Sequence, residues 1–290
     1  MTVSVESVAS RLRFRAHAAA FGTFLRHNKG VAVAGIILLT MLLAGLFAPL
    51  PFDPIKPNPS ETLSPPNASH WFGTDRSGLD IFSRTIVAAR LDLPLAISGA
   101  LVSLMVGVPL GLAASTKTRW AERFMRGLDA FQAFPLLVLA IVIVALTGNN
   151  LRNIVVAIAL INIPRFIRLT RSEALALRES RFIEAARAIG ASPRRVLFRH
   201  LLPNIVGTIF AQASLAVAHA IVVIAALSFL GIGITPPDAS WGAMIREGSQ
   251  TMATGHWWVA TAPGVAVFLA VVSFHTIADG LLSYFERADH

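Results

Sequence analysis

The chain has 290 residues, of which 54% are hydrophobic and only 14% are charged, and its mean hydropathy is +0.64. A soluble globular domain carries about 25% charged residues, so this composition indicates an integral membrane protein. The absence of cysteine excludes disulfides and thiolate metal sites. The excess of 25 Lys+Arg over 16 Asp+Glu fits either nucleic-acid binding or a membrane-topology signal, and the positions of the basic residues distinguish the two.

Six apolar segments are candidates for membrane-crossing helices, each of which needs about 20 apolar residues. The fourth is short, and we expect Arg165 and Arg168 to extend it by reaching toward the lipid–water interface. The fifth has no charged residue and leaves room for a bend. In chain order the segments are 31–50, 94–115, 130–151, 154–167, a span within 201–237, and 258–278. The sequence therefore predicts an all-α membrane protein with six transmembrane helices.

The basic residues predict the orientation of these helices. Six spans place both termini on one side, together with residues 116–127 and 165–202, and that side holds 19 of the 25 Lys+Arg. The positive-inside rule then places both termini in the cytoplasm. No stretch alternates basic and aromatic residues as a nucleic-acid groove would, so we attribute the basic excess to membrane insertion and expect no nucleic-acid partner.

These spans divide the chain into four parts. They are a cytoplasmic N-terminal tail (1–30), a first transmembrane helix (31–50), an outer segment (51–93) and a five-helix core (94–290). The outer segment is rich in proline, which fixes φ and removes backbone donors, so we expect an extended and semi-rigid loop. It either contacts an external partner or only connects the first helix to the core.

Residues 172–203 are too polar to cross a membrane, although they are rich in helix formers. Gly190 can end a helix, and Ser192 followed by Pro193 is typical of a helix start. We therefore predict two short cytoplasmic helices joined at 190–192. Such a basic hairpin can lie on anionic lipid, or it can fit into a protein partner.

The hairpin also carries a spaced motif: Glu184-Ala185-Ala186, then Gly190, then Leu202-Pro203. It resembles the EAA loop of ABC importer permeases, with His200 where that pattern has isoleucine. The resemblance implies a type I ABC importer permease fold, in which the loop 172–203 holds a coupling helix that docks on the ATP-binding subunit. The residues assigned to this contact are Glu184, Ala185, Ala186, Gly190, Arg194, Leu202 and Pro203. The alternative is an interfacial amphipathic helix with no protein partner.

Two further motifs resemble those of dipeptide and oligopeptide permeases of the DppC/OppC type. One comprises residues 70–75 (HWFGTD) and 80–84 (DIFSR), with Leu79 where the family usually has arginine. The other comprises LSFLG at 227–231, Pro236-Pro237 and SWG at 240–242. The resemblance implies a multi-pass permease subunit in the bacterial inner membrane, importing peptides or another small solute such as a nickel chelate, glutathione, an opine or a sugar. The implied partners are a second permease subunit, two ATP-binding subunits, an extracytoplasmic substrate-binding protein and membrane lipids.

Polar residues within the spans can line a transport pathway, but they more often hydrogen-bond a neighbouring helix. Gln212, Ser214 and His219 lie on the fifth span, which borders the pathway in the resembled family, so they are the pathway candidates.

The sequence contains no constellation typical of an enzyme. It lacks the G-x-x-x-x-G-K-[ST] phosphate loop and the H-E-x-x-H zinc motif. We therefore expect no catalytic residue, metal or cofactor in this chain, and we expect ATP and magnesium to bind to partner subunits. Two other classes remain as alternatives: a stand-alone secondary transporter, which typically has inverted repeats and midplane acids, and a membrane-bound enzyme.

Overall fold

A computed structural model describes residues 28–234 and 237–288; the predicted tail 1–30 lies almost wholly outside the described residues. These residues form helices and no strand, which confirms the all-α class. The helices are α1 (Lys29–Phe47), α2 (Ile81–Ala114), α3 (Arg119–Gln132), α4 (Leu136–Thr147), α5 (Leu151–Arg178), α6 (Arg181–Ala188), α7 (Pro193–Val196), α8 (Leu202–Phe229), α9 (Trp241–Thr251) and α10 (Trp258–Ala288).

Five spans are long and apolar enough to cross a membrane: α1, α2, α5, α7–α8 taken together, and α10. A bent pair, α3 with α4, makes a sixth span only if the two helices cross the membrane together as one broken span; otherwise the pair is a re-entrant loop. The predicted span over 130–151 is not one continuous helix, because α3 ends at Gln132, α4 begins at Leu136, and the pair bends by 84°. Pro135 causes the break, since proline disfavours a helical conformation in the residue before it. The apolar part is α4 alone, whose 12 residues extend about 18 Å at about 1.5 Å per residue.

The second and fourth spans are longer than predicted. Helix α2 begins at Ile81, inside the expected outer loop, because Asp80 caps it by accepting a hydrogen bond from the backbone N–H of Ser83. This added part of α2 carries the charged residues Arg84 and Asp92, and both side chains are buried. Helix α5 likewise continues to Arg178, well past the predicted end at residue 167.

Helices α2 and α5 form the most extensive helix–helix contact of the bundle. Small residues at every fourth position of α2 face α5: Gly99, Ser103, Gly107 and Gly111. A Cβ atom added to Gly107 would lie 2.5 Å from the Cβ of Phe166, so the two helices approach as closely as glycine allows. Such stripes of small residues are typical of helix packing in membranes, where close van der Waals contact replaces the hydrophobic effect.

The bundle has two ends, which we name by their content. The loop end holds residues 48–80, the 148–150 turn and α9, and the hairpin end holds α6, α7 and the start of α8. Helix α1 lies on the outside of the bundle against α2 and α10. Most of its surface is uncovered, as expected for a helix that faces lipid.

Residues 48–80 fold more tightly than the extended loop we expected. The imidazole of His70 is buried between two carboxylates, with its Nδ1 2.8 Å from Asp80 Oδ1 and its Nε2 3.2 Å from Glu61 Oε2. The ring of Phe52 stacks on this imidazole. Thr74 O–H donates to the carbonyl of Glu61, which ties the two halves of the loop together.

Candidate functional site

Because α5 continues to Arg178, the hairpin that the sequence predicts within 172–203 comprises residues 179–201 in the structure. It turns at Gly190. The glycine has a φ of +85°, in the left-handed region that favours glycine. Gly190 N–H donates to the carbonyl of Arg187, and Ala191 N–H donates to that of Ala186. These two bonds form a Schellman motif, which closes α6 by satisfying its last carbonyls. The predicted helix end at Gly190 is confirmed.

The chain then restarts as a helix at the predicted place. The hydroxyl of Ser192 accepts a hydrogen bond from Arg195 N–H, and Pro193 occupies the first turn. The second short helix, however, is not separate. It continues through one turn of π-helix, Leu197–Leu201, directly into α8. Pro203 accounts for this turn, because it has no N–H to offer the carbonyl four residues earlier.

The hairpin has a small hydrophobic core of its own. Ile183, Val196 and Leu201 are buried together, and Leu177 and Leu197 pack against them. Ala186 is only 7% exposed, so its side chain points into the chain. Its small size therefore serves packing within the hairpin, and it does not lie on the outward surface where we had placed it together with Ala185.

The outward face of α6 is apolar. Phe182 and Ile189 are 44% and 88% exposed, and Ala185 between them is exposed too. Their spacing of three and four residues puts them on one helix face. We did not select Phe182 or Ile189 from the sequence, although the i, i+3, i+7 pattern was visible there.

The remaining predicted coupling residues lie around this face. Glu184 is exposed, makes no ion pair among the described residues, and lies in the first turn of α6, where a negative charge is stabilised. Arg194, Arg187 and Arg178 line a cavity of about 440 Å³ behind the hairpin. Leu202 is partly buried at the start of α8 and Pro203 beside it is exposed.

Two ion pairs lie near the hairpin: one joins its base to the segment after α2, and the other joins α5 to α3. Lys117 Nζ lies 2.7 Å from Glu179 Oε1, and Arg168 Nη2 lies 2.6 Å from Asp129 Oδ1. The hydrogen bond and the positive charge of Lys117 lower the pKa of Glu179. Both pairs are exposed and screened by water, so they add little to stability and serve mainly to orient the segments.

The pathway candidates have separate surroundings. The hydroxyl of Ser214 donates to the carbonyl of Phe274 on α10 at 2.7 Å, which is a bond between helices. Gln212 is partly buried. His219 Nε2 lies 3.2 Å from Nη2 of Arg165 on α5. Arg165 therefore points across the bundle to α8. The prediction that it reaches toward the lipid–water interface is wrong. Arg168, in contrast, is exposed and pairs with Asp129.

Each of the two loop-end motifs packs against residues outside the motifs, which the sequence did not reveal. Trp241 is 1% exposed, and its backbone N–H donates to Asp92 Oδ2 on α2 at 2.9 Å. Its indole N–H donates to the carbonyl of Thr85. Trp258 of α10 packs on Gly73, where an added Cβ would lie 2.7 Å from the indole ring. The motifs thus form a compact cap that joins α2, α9 and α10.

Residues 103–288 match the family described as the binding-protein-dependent transport system inner membrane component. The chain belongs to this family of transport permeases. Within the described residues, no cluster of three His, Cys, Asp or Glu side chains could hold a metal ion.

Two relatives of this permease have names that state what they transport. The chain is 42% identical to the dipeptide transport system permease protein DppC of Alkalihalophilus pseudofirmus, over 89% of this chain and 85% of that protein. It is 40% identical to the glutathione transport system permease protein GsiD of Pectobacterium atrosepticum, over 89% of this chain and 86% of that protein. A putative peptide transport system permease protein of Brucella abortus is 36% identical, over 89% and 87%. The chain is therefore a multi-pass membrane subunit of such a transport system, which replaces the alternatives of a secondary transporter and an enzyme.

Proposed function

We propose that this permease forms one half of the pore of an ATP-driven peptide importer, and that its hairpin couples the pore to a separate ATP-binding subunit. One observation carries this proposal: the hairpin seals its own core with Ile183, Val196 and Leu201, yet it exposes Phe182 and Ile189 on the other side of α6. A hairpin that needed only to fold would not present this second apolar face, and such faces are typical of contact sites.

The helical connection behind the hairpin supports a mechanical role. Residues Pro193–Phe229 run as one helical path of 37 residues from the hairpin through the bundle. When the ATP-binding subunit moves the hairpin, this path carries the displacement to the part of α8 that bears Ser214 and His219. The ion pair between Lys117 and Glu179 connects the base of the hairpin to the segment after α2.

The orientation and partners follow from the same assignment. The hairpin end faces the cytoplasm, with the two ATP-binding subunits, and both termini lie on that side. The loop end faces outward, where the cap of His70, Trp241 and Trp258 receives the substrate-binding protein. A second, related permease subunit completes the pore within the lipid. ATP and magnesium bind to the ATP-binding subunits, and this chain holds no metal or cofactor.

Small peptides are the proposed cargo, because two relatives are named as permeases for dipeptides and for glutathione. Glutathione is itself a small peptide with free carboxylates, so the two names describe one chemical class. Nickel chelates, opines and sugars lack this support.

Uptake by the assembled importer tests the proposal. The chain, its companion permease, both ATP-binding subunits and the binding protein are reconstituted in proteoliposomes with labelled dialanine. Uptake is expected to require ATP and the binding protein, while the isolated chain hydrolyses no ATP. Glu184→Gln is expected to weaken the stimulation of hydrolysis by loaded binding protein more than basal hydrolysis, whereas Glu122→Gln, an exposed change on α3, leaves both unchanged. Saturable ATP hydrolysis by the isolated chain, or ATP-independent uptake, would overturn the proposal.

A further inference from the structure

Arg165 places a positive charge in the middle of the helix bundle. It lies 14 residues after Leu151, the first residue of α5, which is about 21 Å from the loop end at about 1.5 Å per residue. Its guanidinium reaches His219 on α8, ten residues before the end of that helix at Phe229. Both side chains are partly buried, so the pair is partly covered by the bundle and keeps an exposed part.

Neutral groups alone hold this guanidinium. Arg165 Nη1 donates to Asn162 Oδ1 at 3.3 Å, and Nη2 lies 3.2 Å from His219 Nε2. No carboxylate lies within ion-pair distance of Arg165 among residues 28–234 and 237–288. Intramembrane charges are costly and are normally paired, so an arginine held only by neutral partners points to a negative ligand from outside the chain.

The arrangement also fixes which hydrogen-bonding atoms remain free. A guanidinium has donors and no acceptor, so His219 Nε2 must accept its hydrogen bond and Nδ1 must carry the imidazole hydrogen. That Nδ1 is buried and has no hydrogen-bond partner among the described residues. The Oδ1 of Asn162 already accepts from Arg165, and its Nδ2 donates to the carbonyl of Ile158. The cluster therefore offers donors and positive charge to a ligand.

We propose that Arg165, oriented by His219 and Asn162, binds the carboxylate of the substrate on the exposed side of the contact between α5 and α8. This inference rests on the function proposed above and adds the substrate group that the pathway recognises. A guanidinium binds a carboxylate with two parallel hydrogen bonds, which gives the site a geometric preference for that group. One such contact, without a second cation, keeps the carboxylate weakly bound, and a conducting site must also release its ligand.

The test compares dialanine with its C-terminal amide in the reconstituted importer, at equal concentrations of loaded binding protein. The wild-type importer is expected to transport dialanine at least tenfold faster than the amide. In Arg165→Gln, dialanine uptake is expected to fall at least tenfold, to within twofold of the amide. Arg165→Lys is expected to keep at least a threefold preference. Arg168→Gln, an exposed change one turn along the same helix, keeps the preference of the wild type.

A purely structural role of Arg165 would slow both substrates equally, so the ratio of the two rates separates binding from folding. If Arg165→Gln does not assemble, His219→Phe decides the question, because it retains the arginine and removes the nitrogen that orients it. It is expected to lower the preference at least threefold. A wild-type importer without preference, or variants that retain it, would overturn the inference alone. A wild-type importer that does not transport dialanine would overturn the proposed function itself.

Discussion

Gly190 closes α6 in a backbone conformation that other residues adopt with difficulty. A Cβ added there would meet no atom within 4 Å, so a larger residue causes no clash. The cost of replacing Gly190 comes from its φ of +85° alone. Gly190→Val is expected to destabilise the turn by about 1–2 kcal/mol, whereas Gly190→Asn costs less because asparagine tolerates this region. Stimulated ATP hydrolysis by the assembled importer is expected to fall severalfold for valine and only slightly for asparagine. Equal activity of the two variants would contradict the role of the turn.

His70 makes the loop-end cap sensitive to pH. Burial lowers the pKa of its imidazole, but the hydrogen bonds and charges of Asp80 and Glu61 outweigh this and raise the pKa above its ordinary value. Because the folded-state pKa is raised, protonated His70 stabilises the folded state fully below about pH 6.5. This stabilisation is lost as the pH rises through the folded-state pKa. Burial also raises the pKa values of Asp75 and Glu247, so these two groups likewise make the folded state less stable as the pH rises.

The thermal midpoint of the purified importer is therefore expected to fall between pH 6 and pH 9. His70→Asn is expected to reduce this dependence, because asparagine keeps a hydrogen bond and cannot be charged. His256→Asn is the matched control, since His256 lies at the same end and contacts no carboxylate among the described residues. A pH dependence that is the same in His70→Asn and the wild type would exclude His70 as its source.

Local chemistry was predictable from the sequence at the residue scale. Gly190, Ser192 and Pro193 act as expected, because a cap depends on a few neighbouring residues. The burial of Ala186 and the partner of Arg165 were not predictable. Each depends on which distant helix lies opposite, and a single sequence does not contain that information directly.

The packing of α2 on α5 is the element-scale feature that tolerates least change. Gly107→Ala would place a Cβ 2.5 Å from that of Phe166 and 3.0 Å from the carbonyl oxygen of Ile163. Overpacking of this kind costs about 1–3 kcal/mol, so a lower thermal midpoint and reduced assembly are expected. Gly127→Ala on α3 meets nothing within 4 Å and is expected to be neutral or slightly stabilising. Similar effects of the two changes would contradict the close contact.

Hydropathy predicted five of the six spans, although not all of their bounds, and it marked the sixth where the structure has the bent pair α3 and α4. It counted residues 130–151 as one span because their composition is apolar, and composition does not record the bend at Pro135. It placed the start of α2 too late because Arg84 and Asp92 are charged. Their burial is explained only by partners elsewhere, since Trp241 donates to Asp92 from 149 positions away and Arg84 donates to the carbonyl of Pro54.

The orientation of the whole molecule can be tested directly, because the chain has no native cysteine. Asn67→Cys and Ser192→Cys introduce single exposed thiols at opposite ends of the bundle. In intact cells, an impermeant thiol reagent is expected to label the first variant, and the second only after the membrane is permeabilised. Labelling of Ser192→Cys in intact cells would reverse the proposed topology and place the hairpin outside.

The proposed coupling depends on contact between the hairpin and an ATP-binding subunit. Ile189 is 88% exposed on the hairpin, and Ile55 is 53% exposed at the opposite end of the bundle. A photo-reactive benzoylphenylalanine is introduced at each position in turn, and the products formed on irradiation of the assembled importer are identified by mass spectrometry. Crosslinks from position 189 to the ATP-binding subunit, with none from position 55, are the predicted result. Crosslinks from position 189 to lipid alone, or from position 55 to the ATP-binding subunit, would contradict the coupling role.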